Sequence, residues 1–330
     1  MKIAVVGGGW FGCHITKVLQ QTTQHEVYLF EQNDSLLSNA SRYNQNRLHL
    51  GFHYPRNKST RKLCYSNFEK FQKQYSYCLE SEPLNIYSVS YNSMVDFETY
   101  VDIMKSSGLD YVIDDYHHEY FNTNTIDGSV LTNEKIINFV KAKEYFTNIL
   151  NNITLNYKFT EKDACKFDKV IYCTYYPTNQ SFLCKYVPTL IWKTKLDWNI
   201  SFTVMNGHFF SLLRAPSNQL HTHTLTHVKY GRLGEYETYD LAKESVNVVN
   251  IETATNSLIQ DIKKYFKPHY YSEIVNNLDT TVDYCIKTII PSSSDGRDLY
   301  TVKNINNMFI TCGKISGIFD AEQEVLEWIN

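Results

Sequence analysis

The sequence contains few of the residues that break or cross-link a chain. Its 330 residues include 13 glycines and 7 prolines, and neither residue clusters into a low-complexity linker. The eight cysteines are scattered and form no C-x-x-C pair, so we expect reduced, mostly buried thiols. Internal repeats are lacking too. A chain of this length forms either one large domain or two smaller ones with an ample core.

Further absences bear on partners and localisation. The net charge is −3, without the positive excess of a general nucleic-acid binder. No apolar run approaches the length of a membrane span, and the first run is too short for a signal peptide. Neither a Walker A loop nor a G-x-S-x-G elbow supports phosphoryl transfer or serine hydrolysis. We expect a cytoplasmic protein that acts on a small molecule and loses nothing from its N-terminus, because Gly7 lies so close to it.

The most informative feature that is present is a glycine motif at residues 7–12. An apolar run from Ile3 to Val6 is followed by G-x-G-x-x-G, a segment of helical spacing, a second apolar run and an acid. This order is the dinucleotide-binding fingerprint, in which glycines admit a pyrophosphate at a helix N-terminus and the acid binds ribose. The alternative is a glycine-rich turn in another kind of α/β protein. The expected cofactor contacts are Gly7, Gly9, Trp10, Phe11, Gly12, Glu31 and Gln32.

Positive charge is concentrated after this motif. Residues 35–68 contain six basic residues and no acidic one. Because a solvated surface normally mixes both signs, the segment predicts a site for cofactor phosphates, for an anionic substrate, or for both. The alternative is a basic surface patch. The basic residues are Arg42, Arg47, Arg56, Lys58, Arg61 and Lys62.

Residues 47–54 alternate in polarity and predict an extended strand. Its core-facing residues would be Leu48, Leu50 and Phe52. Its other face would carry Arg47, His49, Gly51 and His53. Two histidines flanking a glycine suit contact with a flat ring system, and an imidazole acts as a base or a hydrogen-bond donor. The alternative for each histidine is a structural hydrogen bond.

The remaining pattern predicts the layout of the fold. Helical spacing covers residues 60–79, 95–107, 134–151 (with Thr132 as N-cap), 252–266 and 321–329. Residues 189–228 alternate for long stretches, as antiparallel strands do. We predict an α/β fold, α+β overall, in which a Rossmann-like domain is interrupted by a mainly antiparallel β-sheet domain. The cofactor-binding domain comprises 1–75, 125–185 and 285–330, and the substrate-binding domain comprises 76–124 and 186–284.

Residues 39–55 carry a more specific signal. Their sequence, N-A-S-R-Y-N-Q-N-R-L-H-L-G-F-H-Y-P, resembles the second conserved block of the D-amino-acid oxidase-like flavoprotein superfamily. Within that superfamily it is most similar to the FAD-dependent 2-hydroxyacid dehydrogenases. The resemblance implies a block that runs under the pyrophosphate of FAD and along its flavin ring. It places Ser41 and Arg42 near the phosphates, and Asn46, Leu48 and Gly51 near the flavin.

Two later stretches support the same resemblance. Residues 168–174 resemble the strand that passes the adenine end, with Thr174 as a contact, although Tyr175 replaces the usual glycine. Residues 291–297 and 309–317 resemble the C-terminal block, whose backbone closes over the flavin. The contacts implied there are Gly313, Lys314, Ile315, Ser316 and Gly317. The segments 76–124 and 186–284 match no known block, so we expect them to select the substrate.

The positions of these blocks favour FAD over a nicotinamide cofactor, because the two ends of the chain would bind opposite halves of one long molecule. We predict an FAD-dependent oxidoreductase that removes hydride from a CH–OH or CH–NH group of a small anionic substrate. The candidate base is His49 or His53. The candidate anion clamps are Arg47 and Arg297, with Arg56 as an alternative.

Two other functions fit these motifs. One is a flavoenzyme that rearranges or modifies a nucleotide-linked sugar, and the other is a non-catalytic dinucleotide-binding module.

Other histidines are clustered without a metal-site pattern. His221, His223 and His227 share one face of a predicted strand, and no cysteine or carboxylate lies close in sequence. We predict no metal there and a polar face toward the substrate, with an ordinary exposed strand as the alternative. The pair His117 and His118 lies among acidic residues and predicts a solvated loop.

Overall fold

The computed structural model describes residues 1–174, 184–205, 207, 209–289 and 297–330. Two parts of the predicted resemblance, Tyr175 and residues 291–296, lie outside the described residues. The strands in this part of the chain are β1 (Lys2–Val6), β2 (Glu26–Phe30), β3 (Arg47–Leu48), β4 (Leu79–Ser81), β5 (Leu84–Ser90), β6 (Tyr111–Asp114), β7 (Ile126–Thr132), β8 (Lys135–Ile137), β9 (Ile153–Thr154), β10 (Lys169–Tyr172), β11 (Lys185–Lys195), β12 (Ile200–Met205), β13 (Phe210–Arg214), β14 (Thr222–His227), β15 (Asp283–Ile289), β16 (Leu299–Lys303) and β17 (Asn307–Cys312). The α-helices are α1 (Trp10–Thr22), α2 (Lys58–Tyr75), α3 (Phe97–Ser106), α4 (His117–Tyr120), α5 (Phe139–Ile149), α6 (Glu161–Ala164), α7 (Tyr239–Val248), α8 (Ile251–Tyr265), α9 (Pro268–Asn276) and α10 (Ile318–Ile329).

One sheet carries the glycine motif. Within the described residues its order is β16–β17–β10–β1–β2–β9, and every neighbouring pair except β16–β17 is parallel. Parallel strands are usually covered by helices, which explains why β1 is almost entirely apolar. Ile3 and Val5 of β1 share one buried cluster with Ile15 and Leu19 of α1, and α1 also packs against α10.

A second sheet is formed mainly by the middle of the chain. Its order within the described residues is β15–β11–β14–β13–β12–β5–β7–β6, and only the β12–β5 pair is parallel. Its core is rich in fully buried aromatic side chains, among them Trp192, Phe202, Phe210 and Phe266. These large side chains stabilise the sheet by burying apolar area.

A third sheet is small and antiparallel. It contains β3, β8 and β4, with Arg47 opposite Ile136 and Glu80 opposite the same residue. The segment that carries the predicted flavin block is therefore anchored at its start by backbone pairing to β8.

The predicted fold class is confirmed, because a parallel Rossmann-like sheet is interrupted by a mainly antiparallel one. Sheet membership differs from the predicted domain boundaries at three strands, of which β4 was expected in the substrate-binding domain but pairs with β8 in the small sheet. β7 and most of β15 were expected in the cofactor-binding domain, but both lie in the larger sheet. The reason is non-local pairing, since β7 bonds to β5 and β15 bonds to β11.

Element boundaries differ most around residue 134. The predicted helix 134–151 begins only at Phe139, because residues 135–137 form β8. Its N-cap is Asn138, whose side chain accepts hydrogen bonds from Val140 N and Lys141 N, and not Thr132. Helices α7 and α9 were not predicted from the sequence. None of the helices in the described part of the chain combines the length and apolar character needed to cross a bilayer.

Candidate functional site

The glycine motif forms the tight strand-to-helix turn that the sequence predicts. Gly7 has φ +105°, a conformation that side chains disfavour. A Cβ on Gly12 would lie 1.8 Å from the Gly7 carbonyl oxygen, so only glycine allows α1 to approach β1 this closely. The N-cap Gly9 offers no side-chain bond to the first turn, which leaves backbone N–H groups for an anion. Ser41 Oγ accepts a hydrogen bond from Trp10 N at 3.2 Å and so lies at this helix end.

Glu31 lies at the end of β2, where a ribose-binding acid is expected. Its Oε2 accepts a hydrogen bond from Gly8 N at 2.6 Å, and its Oε1 accepts one from Asn33 N at 2.8 Å. The carboxylate is 7% exposed and is therefore held in one orientation. Asn33 Nδ2 also donates to Oε1, at 2.6 Å, so Oε2 is the oxygen with a lone pair left to accept a hydrogen bond from a ribose hydroxyl.

A cavity of about 760 Å³ begins at this turn and extends to the C-terminal block. A volume of this size is within the range of ligand pockets, roughly 300–1,000 Å³. Near Glu31 it is lined by Phe30, Phe159 and Tyr172, which offer apolar faces to a flat base. The predicted contacts found in its lining are Gly7, Gly9, Trp10, Phe11, Glu31, Gln32, Ser41, Asn46, Arg47, His49, His53, Thr174, Arg297, Gly313, Lys314 and Ile315.

Six predicted contacts lie outside this lining. Leu48 is fully buried in the core of the parallel sheet, and Gly12 packs against Gly7. Arg42 lies over the rings of Tyr43 and Phe139 and lines a neighbouring cavity. The remaining three are Gly51, Ser316 and Gly317.

The predicted strand over residues 47–54 is only two residues long. Gly51 adopts φ +121° and packs against the backbone of Arg61, and Tyr54 N donates to Gly51 O. The chain therefore turns, which removes Gly51 from the predicted flavin face. The turn nevertheless brings the rings of His49 and His53 together, with centroids 5.8 Å apart.

His49 is bound to a carboxylate that the sequence analysis did not identify. Its Nδ1 lies 3.1 Å from Oε2 of Glu134, which is completely buried. The other Glu134 oxygen accepts a hydrogen bond from Leu50 N at 2.7 Å, and Tyr87 OH donates to Oε2 at 2.8 Å. Burial and the charge of Lys314 lower the pKa of His49, so the imidazole is neutral at physiological pH although Glu134 opposes this effect.

His53 is also held neutral. Burial and the neighbouring His49 and Lys314 keep its pKa well below the usual range. Two neutral imidazoles therefore line the cavity, and a neutral imidazole can take up a proton.

Positive charge surrounds this end of the cavity. Four cations line this end, namely Arg232, Lys287, Arg297 and Lys314. In the whole described lining, which also contains Arg47 and Lys158, the acidic residues are Glu31 and Asp240. The side chain of Lys287 lines the cavity and is exposed to solvent there. Partial desolvation and then the charges of Arg297, Lys314 and Arg232 lower its pKa, whereas Cys285 opposes them. Arg232 is paired with Glu235 at 2.6 Å, and a bound anion would relieve the repulsion among the other three.

Arg47 has a different role from the predicted substrate clamp. Its guanidinium is buried and donates to Glu82 Oε2 and to Ser201 Oγ, both at 3.1 Å. Arg214 binds the other oxygen of Glu82 at 3.3 Å. Arg47 therefore joins β3 to the larger sheet, and this ion pair leaves only its Nε without a hydrogen-bond partner.

The strand histidines bind protein groups. His223 bonds to the Ile200 carbonyl, and His227, which lines the cavity, bonds to Asp261. His221 precedes β14 and pairs with Asp197 at the surface. Among the described residues, the group with metal-ligand spacing is Asp115, His117 and His118, which lies outside the cavity lining.

Comparisons with known proteins agree with this geometry. No family model matches the chain. The FAD-dependent monooxygenase FPY4 of Fusarium mangiferae is 27% identical over 345 residues, covering 100% of this chain and 91% of that protein. The L-α-glycerophosphate oxidase of Mycoplasma pneumoniae, whose structure contains FAD, superposes with a TM-score of 0.75 at 14% identity, over 100% and 94% of the two chains. The chain has the D-amino-acid oxidase-like fold.

The glycine oxidase of Bacillus cereus shares this fold, with a TM-score of 0.69 at 12% identity over 100% of this chain and 95% of that one. The predicted resemblance to the D-amino-acid oxidase-like superfamily is thus confirmed at the level of fold. The predicted cofactor agrees with the FAD-dependent relative and with the FAD-bound neighbour. In this fold, the cavity of the present chain has the turn, the acid and the aromatic end that an adenine dinucleotide requires.

The buried pair Arg47–Glu82 generates a stability prediction. Glu82→Gln should lower the free energy of unfolding by about 3–5 kcal/mol, because it leaves a buried guanidinium without its counter-charge. Denaturant unfolding measures this change. The control is Glu324→Gln, which removes the partner of Lys303 from an exposed ion pair and should cost about 0–1 kcal/mol. Equal losses for the two variants would contradict the structural role assigned to Arg47.

Proposed function

We propose that the protein is an FAD-dependent oxidoreductase that removes hydride from a CH–OH or CH–NH group of a small anionic substrate. The observation that carries the proposal is the set of residues that line one cavity. The glycine turn, the neutral histidines and four cations all line it, although they are far apart in sequence. The relatives with FAD-dependent redox names support the same class of reaction.

Different residues of the lining would bind different parts of the cofactor and the substrate. Backbone N–H groups at the start of α1 and the Ser41 hydroxyl would bind the pyrophosphate, and Glu31 would bind ribose. Lys287, Arg297 and Lys314 would hold the anionic group of the substrate. Bound FAD supplies the acceptor for the hydride.

His49 is the proposed base for an alcohol substrate. Its Nδ1 is engaged with Glu134, and no hydrogen bond of its Nε2 is found among the described residues. Nε2 would take the proton of the substrate hydroxyl while the carbon loses hydride, so that a carbonyl forms. A neutral amine substrate needs no such base, because its nitrogen already carries a free lone pair.

The absorption spectrum tests the cofactor directly. We expect the purified protein to be yellow, with flavin bands that substrate bleaches in the absence of oxygen. Acid precipitation should release FAD if the flavin is not covalently bound, and the spectrum of the pellet identifies covalent attachment. A colourless protein that does not take up added FAD would refute the proposal, and a flavin that no hydroxy acid, amino acid or phosphorylated alcohol reduces would favour the sugar-modifying alternative.

The cationic end of the cavity predicts how affinity responds to mutation. Lys287→Met should raise KM for an anionic substrate by about 10- to 100-fold, because a charge-assisted hydrogen bond is worth about 1.5–3 kcal/mol. The effect should be small for a neutral analogue of the substrate. Lys195→Met, at an exposed position of β11, is the matched control and should leave KM unchanged. Equal KM changes for charged and neutral compounds would exclude Lys287 from anion recognition.

Monooxygenation is the second candidate, because the curated relative FPY4 carries that name. It requires two electrons from a donor such as a reduced nicotinamide, places one oxygen atom of O₂ in the product and releases the other as water. Turnover under ¹⁸O₂ separates the two reactions. An oxidase produces one H₂O₂ for each substrate and no labelled product, whereas a monooxygenase incorporates one labelled atom.

A further inference from the structure

Glu134 occupies a place in the fold that packing alone does not require. It lies between β7 and β8, is 0% exposed, and no lysine or arginine is paired with it among the described residues. It accepts hydrogen bonds from His49, Tyr87 OH, Leu50 N and, at 3.5 Å, Asn85 Nδ2. A buried carboxylate is costly unless its charge is used or compensated. Here four groups compensate the carboxylate, and the His49 imidazole is the one among them that lines the cavity.

The charge state of Glu134 follows from these contacts. Burial alone would raise its pKa, but His49, the Tyr87 hydroxyl and the Leu50 N–H bring the pKa down to about 2. The carboxylate is therefore ionised at any pH at which an enzyme of this kind operates. An ionised carboxylate only accepts hydrogen bonds, so the Nδ1 atom of His49 must carry the proton of the neutral ring.

We propose that Glu134 is a positioning residue of the reaction, which holds His49 in the tautomer with a proton on Nδ1 and leaves Nε2 as the base. The inference rests on the proposed function for its kinetic part, because it assigns the proton-accepting atom of that reaction. In the alcohol reaction the O–H proton moves to Nε2, and the hydrogen on carbon leaves with both bonding electrons to the flavin. Carbon is oxidised, flavin is reduced, and Glu134 keeps its charge throughout.

The basicity of His49 depends on all the groups that face it. Lys314 from the C-terminal block and Arg47 from β3 lower its pKa, and burial lowers it most. Glu134 is the group that raises it, and it also stabilises the imidazolium that forms when Nε2 accepts a proton. His53 and Tyr87 complete the surroundings, with Tyr87 OH 3.3 Å from Nδ1.

The decisive variant is Glu134→Gln, in which the charge is lost and the shape is nearly kept. Because an anion beside His49 favours its protonated form, its removal lowers the His49 pKa. The base works when neutral, so kcat/KM falls at low pH where His49 becomes protonated. This acid limb of the pH profile of kcat/KM should move to lower pH by about one unit. The plateau should fall by about 10- to 1,000-fold, since the base is weaker and its tautomer is no longer fixed.

Two controls separate positioning from folding. Glu134→Asp keeps the charge, so its acid limb should remain close to that of the wild type even if the plateau is reduced. Tyr87→Phe removes another hydrogen bond from the same carboxylate without removing charge, and it should not move the limb to lower pH. A purely structural role for Glu134 would reduce the unfolding free energy of all three variants and leave their acid limbs unchanged.

A spectroscopic measurement gives the answer without turnover. Histidine labelled with ¹⁵N in the FAD-loaded wild type reports the tautomer, and His49→Gln identifies the His49 signals among the eleven histidines. We expect a protonated Nδ1 and an unprotonated Nε2 at neutral pH in the wild type, and a shift toward protonated Nε2 in Glu134→Gln. A wild-type ring protonated on Nε2, or an acid limb unaffected by Glu134→Gln, would overturn the inference.

Failure of the proposed function is distinguishable from failure of this inference. A protein that binds no flavin or reduces it with no substrate refutes the proposed function, whereas the ¹⁵N spectrum of the purified chain still reports the tautomer of His49. If Glu134→Gln does not fold, the wild-type spectrum alone decides.

Discussion

Two buried carboxylates fix the segment on which the candidate site depends. Glu82 lies just before β5 and Glu134 just after β7, and these neighbouring antiparallel strands pair Asn85 with Thr132. The two acids therefore emerge at the same end of the larger sheet. Glu82 binds the Arg47 side chain and Glu134 binds both His49 and the backbone of Leu50. The position of the histidines relative to the glycine turn is thus set by the antiparallel sheet as well as by the parallel one.

This arrangement explains why the protein needs an interrupted domain. A Rossmann-like sheet alone provides the turn and the acid for a dinucleotide, but no wall beyond its strand ends. The larger sheet provides that wall, with Thr189, Ser211, His227 and Lys287 in the cavity lining. Substrate recognition can then change through β11 to β15 while the nucleotide contacts remain the same.

The sequence predicted the local features well, because they depend on neighbouring residues. The strand, glycine turn and helix at the start need only a short apolar run and three glycines at fixed spacing, and they occur as expected. The extended strand over 47–54 was wrong beyond Leu48, since the positive φ of Gly51 makes a turn that alternation does not reveal. Arg47 was assigned to substrate because its partner, Glu82, is distant in sequence.

Glu134 and Lys287 were missed for a related reason. Glu134 was placed within a helix, because residues 134–151 have helical spacing, but the pairing of β8 with β3 and β4 delays the start of that helix to Phe139. Lys287 belongs to an edge strand of the larger sheet, where an isolated lysine in a sequence normally indicates a solvated position. The positions of both residues depend on pairing between strands that are distant in sequence, and a local sequence pattern does not reveal such pairing.

The strand order of the parallel sheet also constrains how the molecule is made. β10 lies between β1 and β17, although about 160 residues of the chain separate it from β1 and about 130 separate it from β17. The pairings of β17 with β10 and of β16 with β17 thus wait until residues beyond 307 have been synthesised, whereas β1, β2, β9 and β10 can pair once residue 172 has emerged. Ribosomal synthesis accordingly leaves the β17 edge of the parallel sheet and the cavity lining from Ile310 to Ile315 until last, so acquisition of the coenzyme becomes a late event in maturation.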